Sequence, residues 1–93
     1  MKHTIIILLL ASVLMGACAT GSTPYPDEVS WDVAVEILNR GEVEQAFQLH
    51  SLEVTLYLKD GTEVRTKEPV IDAIFDEIDK CGAVCADVLL ATE

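Results

Sequence analysis

Cysteine is the residue type with the clearest chemical potential in this 93-residue chain, and two of its three cysteines stand close together. Cys81 and Cys85 are separated by three residues, and Gly82 between them lets the backbone turn so that their β-carbons can meet. The spacing favours a structural disulfide, which for so short a loop contributes about 2 kcal/mol in the chain-entropy model. That contribution matters in a small domain, whose core is marginal.

Thiol chemistry is the alternative for the same pair. Redox motifs usually use a Cys-x-x-Cys spacing, which is one residue shorter. A Cys-x3-Cys spacing with a distant histidine resembles the copper site of Sco-type metallochaperones, and His50 would be that histidine here. Their thioredoxin-like fold needs more chain, and two thiolates with one imidazole leave a metal without an evident fourth ligand. A copper or thiol-redox carrier that uses Cys81, Cys85 and His50 is therefore kept as the alternative function.

Other catalytic and metal-binding patterns are weaker. A catalytic nucleophile needs a base and an orienting group beside it, and Ser51 next to His50 in a turn does not supply this set. Asp72, Asp76 and Asp79 follow helical spacing, whereas a calcium loop alternates its oxygen ligands around a central glycine. We interpret His50 as a turn residue and the aspartates as a solvated helix face. The sequence thus predicts no catalytic residue, no metal site and no cofactor.

The N-terminal segment carries the most specific signal in the chain. Lys2 precedes an apolar run over residues 5–15, and the small residues 16–17 lead to Cys18. A positively charged residue, then an apolar run, then small residues is the order found in a secretory signal peptide. The apolar run is shorter than the roughly 20 residues that cross a bilayer. The sequence Leu-Met-Gly-Ala-Cys, which ends at Cys18, resembles the lipobox of bacterial lipoproteins.

This resemblance implies that residues 1–17 are removed, that the Cys18 thiol receives a diacylglycerol, and that the new amine is often acylated too. Several acyl chains anchor firmly, because each buried CH₂ contributes about 0.8 kcal/mol. In lipoproteins, a residue other than aspartate after the cysteine favours the outer membrane, and Ala19 follows here. We expect a lipid-anchored envelope protein at the outer membrane, facing the periplasm. Acylation also leaves an even pair, Cys81 and Cys85, as an exported protein requires.

The processed chain is strongly acidic. Removal of residues 1–17 takes away Lys2 and no acid, so 6 − 1 = 5 basic and 16 acidic side chains give a net charge of 5 − 16 = −11. This balance argues against nucleic acid, whose binding rests on neutralising phosphates with lysine and arginine. It also argues against adhesion to an anionic lipid surface. The acidic residues are dispersed, which favours a role in solubility through self-repulsion. The alternative is a basic partner, such as a cationic peptide or protein patch.

Residues 18–29 are small, polar and proline-marked, and we interpret them as a tether before a domain over residues 30–93. Ser30 fits the N-cap of an amphipathic helix that runs to Leu38, and Gly41 can take the positive φ that ends it. Pro69 fits the first position of a second helix, which Gly82 ends. The buried stripe predicted for the second helix consists of Ile71, Ile74, Phe75 and Ile78.

Strand patterns fill the rest of the domain. A two-residue turn at His50-Ser51 would pair Phe47 with Val54 and place Val43, Phe47 and Leu49 in the core. Asp60-Gly61 is the strongest turn signal, and a three-residue loop with left-handed Gly61 would pair Leu56 with Val64. An apolar run over residues 88–90 predicts a last strand. The predicted fold is α+β, in the order α-β-β-β-α-β, with the helices packed on one face of a mostly antiparallel sheet.

This order resembles the small extracytoplasmic domain of FtsH-type membrane-bound AAA+ zinc metalloproteases. That family has a short helix, Gly-x-Val, hairpin strands, an Asp-Gly turn, a strand and a proline-led helix; the matching residues are 31–38, 41–43, 60–61, 64–66 and 69–78. Inhibitor or chaperone modules of the PepSY type are a second resemblance. The protease's ATPase and zinc-ligand segments have no counterpart, and its extracytoplasmic domain serves assembly and partner contact. We therefore predict a non-enzymatic module that binds a protein or peptide through an open strand edge or the sheet face of Thr55, Tyr57 and Lys59.

Overall fold

The computed structural model describes residues 25–93, so Cys18, the predicted signal peptide and the first part of the predicted tether lie outside the described residues. The elements, in chain order, are α1 (Trp31–Asn39), β1 (Val43–Gln48), β2 (Glu53–Leu58), β3 (Glu63–Lys67), α2 (Ala73–Cys81), a 3₁₀ turn (Gly82–Cys85) and β4 (Leu89–Thr92). The domain is a small α+β fold with two helices and a four-stranded sheet. In the part of the chain that these elements cover, neither helix has the length and apolar character needed to cross a membrane.

The first helix, α1, begins and ends where the sequence predicts. The Ser30 side chain accepts a hydrogen bond from the Val33 N–H at 3.3 Å, which satisfies a free donor of the first turn. Gly41 follows the helix with a φ of +78°, and the Val84 side chain lies 3.0 Å from the place where a β-carbon would stand. Conformation and space therefore both require glycine at this position. The fully buried residues of the helix are Ala34, Ile37 and Leu38.

The sheet is mixed. Its order is β3-β2-β1-β4, with antiparallel β1–β2 and β2–β3 pairs and a parallel β1–β4 pair. The direction of β4 follows from α2, because the helix carries the chain back to the end of the sheet where β3 begins. A strand after such a crossover runs in the same direction as the strand before it. The sheet is therefore mostly antiparallel, as predicted, with one parallel pair between β1 and β4.

The register of β1 and β2 differs from the prediction. Phe47 pairs with Thr55, whereas the two-residue turn would have paired it with Val54. The turn contains three residues, the last of which is Leu52 with a φ of +77°, and the extra residue shifts the pairing by one. A bulge directly after Val43 keeps that residue in the core. Phe47 therefore lies on the opposite face of the sheet from Val43.

The β2–β3 hairpin is the predicted one. Leu56 pairs with Val64, and Gly61, with a φ of +92°, completes the three-residue loop. The Asp60 carboxylate accepts a hydrogen bond from the Thr62 N–H at 2.9 Å, and hydrogen bonds from Thr62 lower the pKa of this carboxyl. This loop keeps Val64 in the core, where it is fully buried.

The second helix, α2, starts later than predicted. Pro69 does not open the helix, which begins at Ala73, and Ile71 is 45% exposed instead of buried. The Glu68 carboxylate accepts a hydrogen bond from the Ile74 N–H at 3.0 Å and so caps this shorter helix from the residue after β3. Residues 69–72 therefore form a loop between the capping side chain and the helix.

One hydrophobic core joins both helices to β1, β2 and β3. Cys85 of the 3₁₀ turn also belongs to it. Phe75 and Ile78 are half-buried and pack against the cluster, as their place in the predicted stripe suggests. The buried apolar residues are Ala34, Ile37, Leu38, Val43, Ala46, Val54, Leu56, Leu58, Val64, Ile74 and Cys85.

The segment directly before α1, which composition assigns to the tether, runs along β3. The Val29 N–H donates to the Arg65 carbonyl oxygen at 2.9 Å, and the Arg65 N–H donates to the Asp27 carbonyl oxygen at 2.7 Å. The Tyr25 hydroxyl donates to the Glu42 carboxylate at 2.6 Å. These residues therefore pack on the folded domain and cover the outer edge of β3.

Candidate functional site

Cys81 and Cys85 form the predicted disulfide. Cys81 ends α2, Cys85 ends the 3₁₀ turn, and their Cα atoms are 5.6 Å apart. Cys85 is buried, and its sulfur lies 3.3 Å from the carbonyl oxygen of Leu38 near the end of α1. The disulfide therefore links the end of α2 to the 3₁₀ turn and lies against the end of α1.

Replacing both cysteines with serine is expected to lower the free energy of unfolding by about 2 kcal/mol, because the unfolded chain loses its loop constraint. Denaturant titration of the wild type and of Cys81→Ser/Cys85→Ser measures the difference. Ala83→Ser, at an exposed position of the same turn, is the matched control and should change stability by less than about 0.5 kcal/mol. If the double variant matches this control, the disulfide does not stabilise the fold.

His50 lies at the opposite end of β1 from the disulfide. It stands in the turn after Gln48, whereas Cys85 packs beside Leu38, which precedes the strand. The Nδ1 atom of His50 is 3.4 Å from the carboxylate of Glu93. The structure does not bring together the three residues of the carrier alternative. Over residues 25–93, no three His, Cys, Asp or Glu side chains are grouped so that they could hold a metal ion.

His50 and Glu93 place an imidazole next to a carboxylate, but the neighbouring hydroxyl, that of Ser51, has a structural role. Ser51 accepts a hydrogen bond from the Glu53 N–H at 3.4 Å and so supports the turn. The backbone N–H of His50 also donates to the Glu93 carboxylate, at 3.0 Å. This arrangement fastens the residue after β4 to the β1–β2 turn, which agrees with the interpretation of His50 as a turn residue.

A buried polar cluster lies under the start of α2. Gln48 is buried and exchanges two hydrogen bonds with Asp72, of 3.0 and 2.7 Å. Glu68 is 1% exposed; one of its carboxyl oxygens caps Ile74, and the other has no hydrogen-bond partner among residues 25–93. Burial raises the pKa of Glu68. The buried Thr66 hydroxyl is likewise without a partner in that part of the chain.

Sequence reasoning missed this cluster. The available signal was a glutamate directly before a proline at the end of a strand, a pattern that equally suits an exposed turn. The aspartates were predicted as one solvated face, and Asp76 and Asp79 are indeed exposed on α2. Asp72 is exposed as well, but it stands before the first turn of the helix and exchanges hydrogen bonds with Gln48.

Opposite the core, the sheet presents a surface that we call the outer face, formed by Gln45, Phe47, Thr55, Tyr57, Leu89 and Ala91. Pairing brings these residues side by side: Leu89 pairs with Gln45, which pairs with Tyr57, and Phe47 pairs with Thr55. Phe47 and Tyr57 are half-buried, and Leu89 is 60% exposed. Thr55 and Tyr57 lie on this face as predicted, although Thr55 is buried between its neighbours, and the register shift adds Phe47 to them. Predicted Lys59 stands in the β2–β3 loop instead.

Charged side chains border the outer face along β3. Glu63, Arg65 and Lys67 alternate there and are all exposed, and a guanidinium nitrogen of Arg65 lies 3.9 Å from the Glu28 carboxylate. A depression of about 340 Å³ beside them is lined by two cationic side chains and two carboxylates. We interpret it as a polar groove at the rim of the outer face. Its lining residues are Glu28, Val29, Ser51, Glu53, Arg65, Thr66 and Lys67.

No protein-family profile matches the chain, and no curated protein sequence matches it.

Proposed function

We propose that this protein is a lipid-anchored, non-enzymatic interaction module of the bacterial envelope, which binds a protein or peptide. The observation that carries the proposal is the outer face, where aromatic and aliphatic side chains lie on a sheet surface beside a charged rim. Apolar patches bordered by polar residues are typical of contact surfaces for other molecules. Aromatic residues are also the side chains most enriched at the energetic centres of such contacts.

Both helices, we infer, cover the same face of the sheet and leave the outer face open. Ile37 of α1 and Ile74 of α2 belong to one core cluster with Leu56 of the central strand β2. Because side chains alternate along a strand, Tyr57 points away from that cluster. Antiparallel pairs often have one packed and one accessible face, which supports this arrangement.

The lipid anchor is the second part of the proposal, and the sequence order around Cys18 supports it. The segment from Tyr25 onward packs on the domain, so six residues, 19–24, separate Cys18 from the packed part of the chain. Six residues span at most about 22 Å when extended. Acylated Cys18 would therefore hold the domain close to the membrane, and Ala19 after it favours the outer membrane on its periplasmic side.

A relationship to the extracytoplasmic domain of FtsH-type proteases is a further part of the proposal. The order of helices and strands supports it, as do Gly41 and Gly61 at positive φ. In that family the domain serves assembly and partner contact, which agrees with an interaction module. The carrier alternative needs Cys81 and Cys85 as free thiols near His50, and the disulfide and the position of His50 favour the interaction module over it.

Substituting the two aromatic residues of the outer face tests the proposal. Phe47→Thr/Tyr57→Thr is expected to lower the yield of formaldehyde-crosslinked products in intact cells at least about tenfold, since truncating central aromatic anchors costs about 2 kcal/mol or more. Threonine keeps the strand preference, and thermal unfolding checks the fold. Asp76→Thr/Asp79→Thr, on the exposed side of α2, is the control and should keep the wild-type products. Undiminished crosslinking by the folded aromatic variant would rule out the outer face as the contact surface.

A further inference from the structure

The strand β4 forms one edge of the sheet, and no strand within residues 25–93 pairs with its outer side. The other edge, at β3, is covered by the segment before α1. The Glu93 N–H donates to the Gln48 carbonyl oxygen of β1 at 3.2 Å. Since successive N–H groups of a strand point to opposite sides, those of Leu90 and Thr92 point away from β1. The free edge thus presents two backbone donors together with their carbonyl oxygens.

The free edge of β4 is short, at four residues, but it carries none of the charged side chains, prolines or bulges that also prevent strand addition. The sequence of β4 is Leu-Leu-Ala-Thr, and Leu90 is 54% exposed beside the still more exposed Leu89. By contrast, β3 carries three exposed charged residues along its length. An apolar, unprotected edge on an otherwise acidic domain is the feature expected of a pairing surface.

The two leucines of β4 lie on opposite faces of the sheet. Leu90 pairs with Ala46 of the core face, and Leu89 pairs with Gln45 of the outer face. An added strand would contact Leu90 with the side chains of one face and Leu89 with those of the other. It would also widen the outer face, because Leu89 forms the edge of that face along β4. An extended segment with regularly spaced apolar residues therefore suits both the backbone and the side chains of β4.

Charge decides which kind of segment fits. Acidic side chains outnumber basic ones 16 to 6 in the chain, and exposed Asp87 and Glu93 flank β4 at its two ends. A second copy, added antiparallel about a twofold axis at Leu90, would set Asp87 of each copy opposite Glu93 of the other, which is repulsive. Lysine or arginine residues in a different partner would place opposite charges at the same positions.

Building on the proposed function as an interaction module, we propose that the free edge of β4 binds an extended segment of a partner protein as a fifth strand, with basic residues alternating with apolar ones. The backbone of Leu90 and Thr92 supplies the hydrogen bonds, Leu90 meets the apolar residues of the added strand on the core face, and Asp87 and Glu93 select the positive charge. The mode of recognition is strand addition to a sheet edge.

Amide hydrogen exchange of the full chain in mild detergent tests this proposal. The probe is a peptide of alternating lysine and valine, about eight residues long, which exceeds the length of an average strand. We expect exchange at the Leu90 and Thr92 amides to slow at least about tenfold, with no change at Ala91, whose N–H points toward β1. Leu90→Pro should abolish the effect, because proline has no N–H to donate and is tolerated at sheet edges. Leu90→Val is the matched control and should keep the effect.

Three results would overturn the proposal. Unchanged exchange at Leu90 and Thr92 would reject strand addition at this edge. Equal protection by a glutamate–valine peptide would reject the selection of positive charge. Protection that grows with protein concentration alone would assign the edge to a second copy of the chain. Because this measurement reports only on β4, its failure alongside crosslinking that depends on Phe47 and Tyr57 would reject the edge and retain the interaction module.

Discussion

Replacing Cys18 with serine is expected to release the protein from the membrane fraction and to abolish its labelling by radioactive palmitate. The thiol is the group that receives the diacylglycerol in the lipoproteins that this N-terminal sequence resembles. Since each buried CH₂ contributes about 0.8 kcal/mol, the loss of two or more acyl chains lowers membrane partitioning by several orders of magnitude. Cell fractionation and palmitate labelling measure the two effects separately.

Cys81→Ser/Cys85→Ser is the matched control for this experiment, because it removes the other two cysteines of the chain and leaves Cys18 in place. It is expected to keep both the label and the membrane location. Retention of label by Cys18→Ser would show that another residue is acylated. Retention in the membrane without label would show that the N-terminal segment itself anchors the protein.

Replacing Glu68 with glutamine is expected to raise the stability of the domain at neutral pH, because glutamine keeps an oxygen that can cap Ile74 and carries no charge that burial penalises. Burial raises the pKa of this carboxyl above its ordinary value of 4.5. The folded protein therefore keeps the proton at pH values at which the unfolded chain has released it. The stability contributed by that proton is fully present below pH 4.5 and is lost as the pH rises through the folded-state pKa.

Denaturant titrations of the wild type and of Glu68→Gln from about pH 4 to pH 8 measure this linkage. The wild type should lose stability relative to the variant as the pH rises. Glu63→Gln removes the same charge from an exposed position of β3, and its curve should run parallel to the wild type. Parallel curves for Glu68→Gln as well would mean that the Glu68 carboxyl titrates alike in the folded and unfolded chain.

Features set by one residue and its immediate neighbours could be predicted from the sequence. The cap at Ser30 and the positive φ at Gly41 and Gly61 depend on local geometry that few residue types permit. The disulfide follows from the spacing of two cysteines and an intervening glycine. These local signals were sufficient to order the elements along the chain and to place Tyr57 on the outer face.

Features that depend on distant packing were not predictable in the same way. Leu52 takes a positive φ that its side chain does not favour, and this added turn residue moved Phe47 from the predicted core to the outer face. Glu68 caps α2 across the loop of residues 69–72. Helical periodicity alone therefore predicts a start of α2 that is too early. The exposed edge of β4 depends on the crossover through α2, which no motif in the sequence announces.

Site-specific photocrosslinking in intact cells is the most direct test of the claim that this domain contacts a partner through its outer face. A photoreactive amino acid at Leu89 is predicted to give discrete adducts with one or a few envelope proteins. The same amino acid at Asp76, exposed on α2, is predicted to give none. Adducts from Asp76 with none from Leu89, or no adduct from either position, would contradict an interaction module that works through this surface.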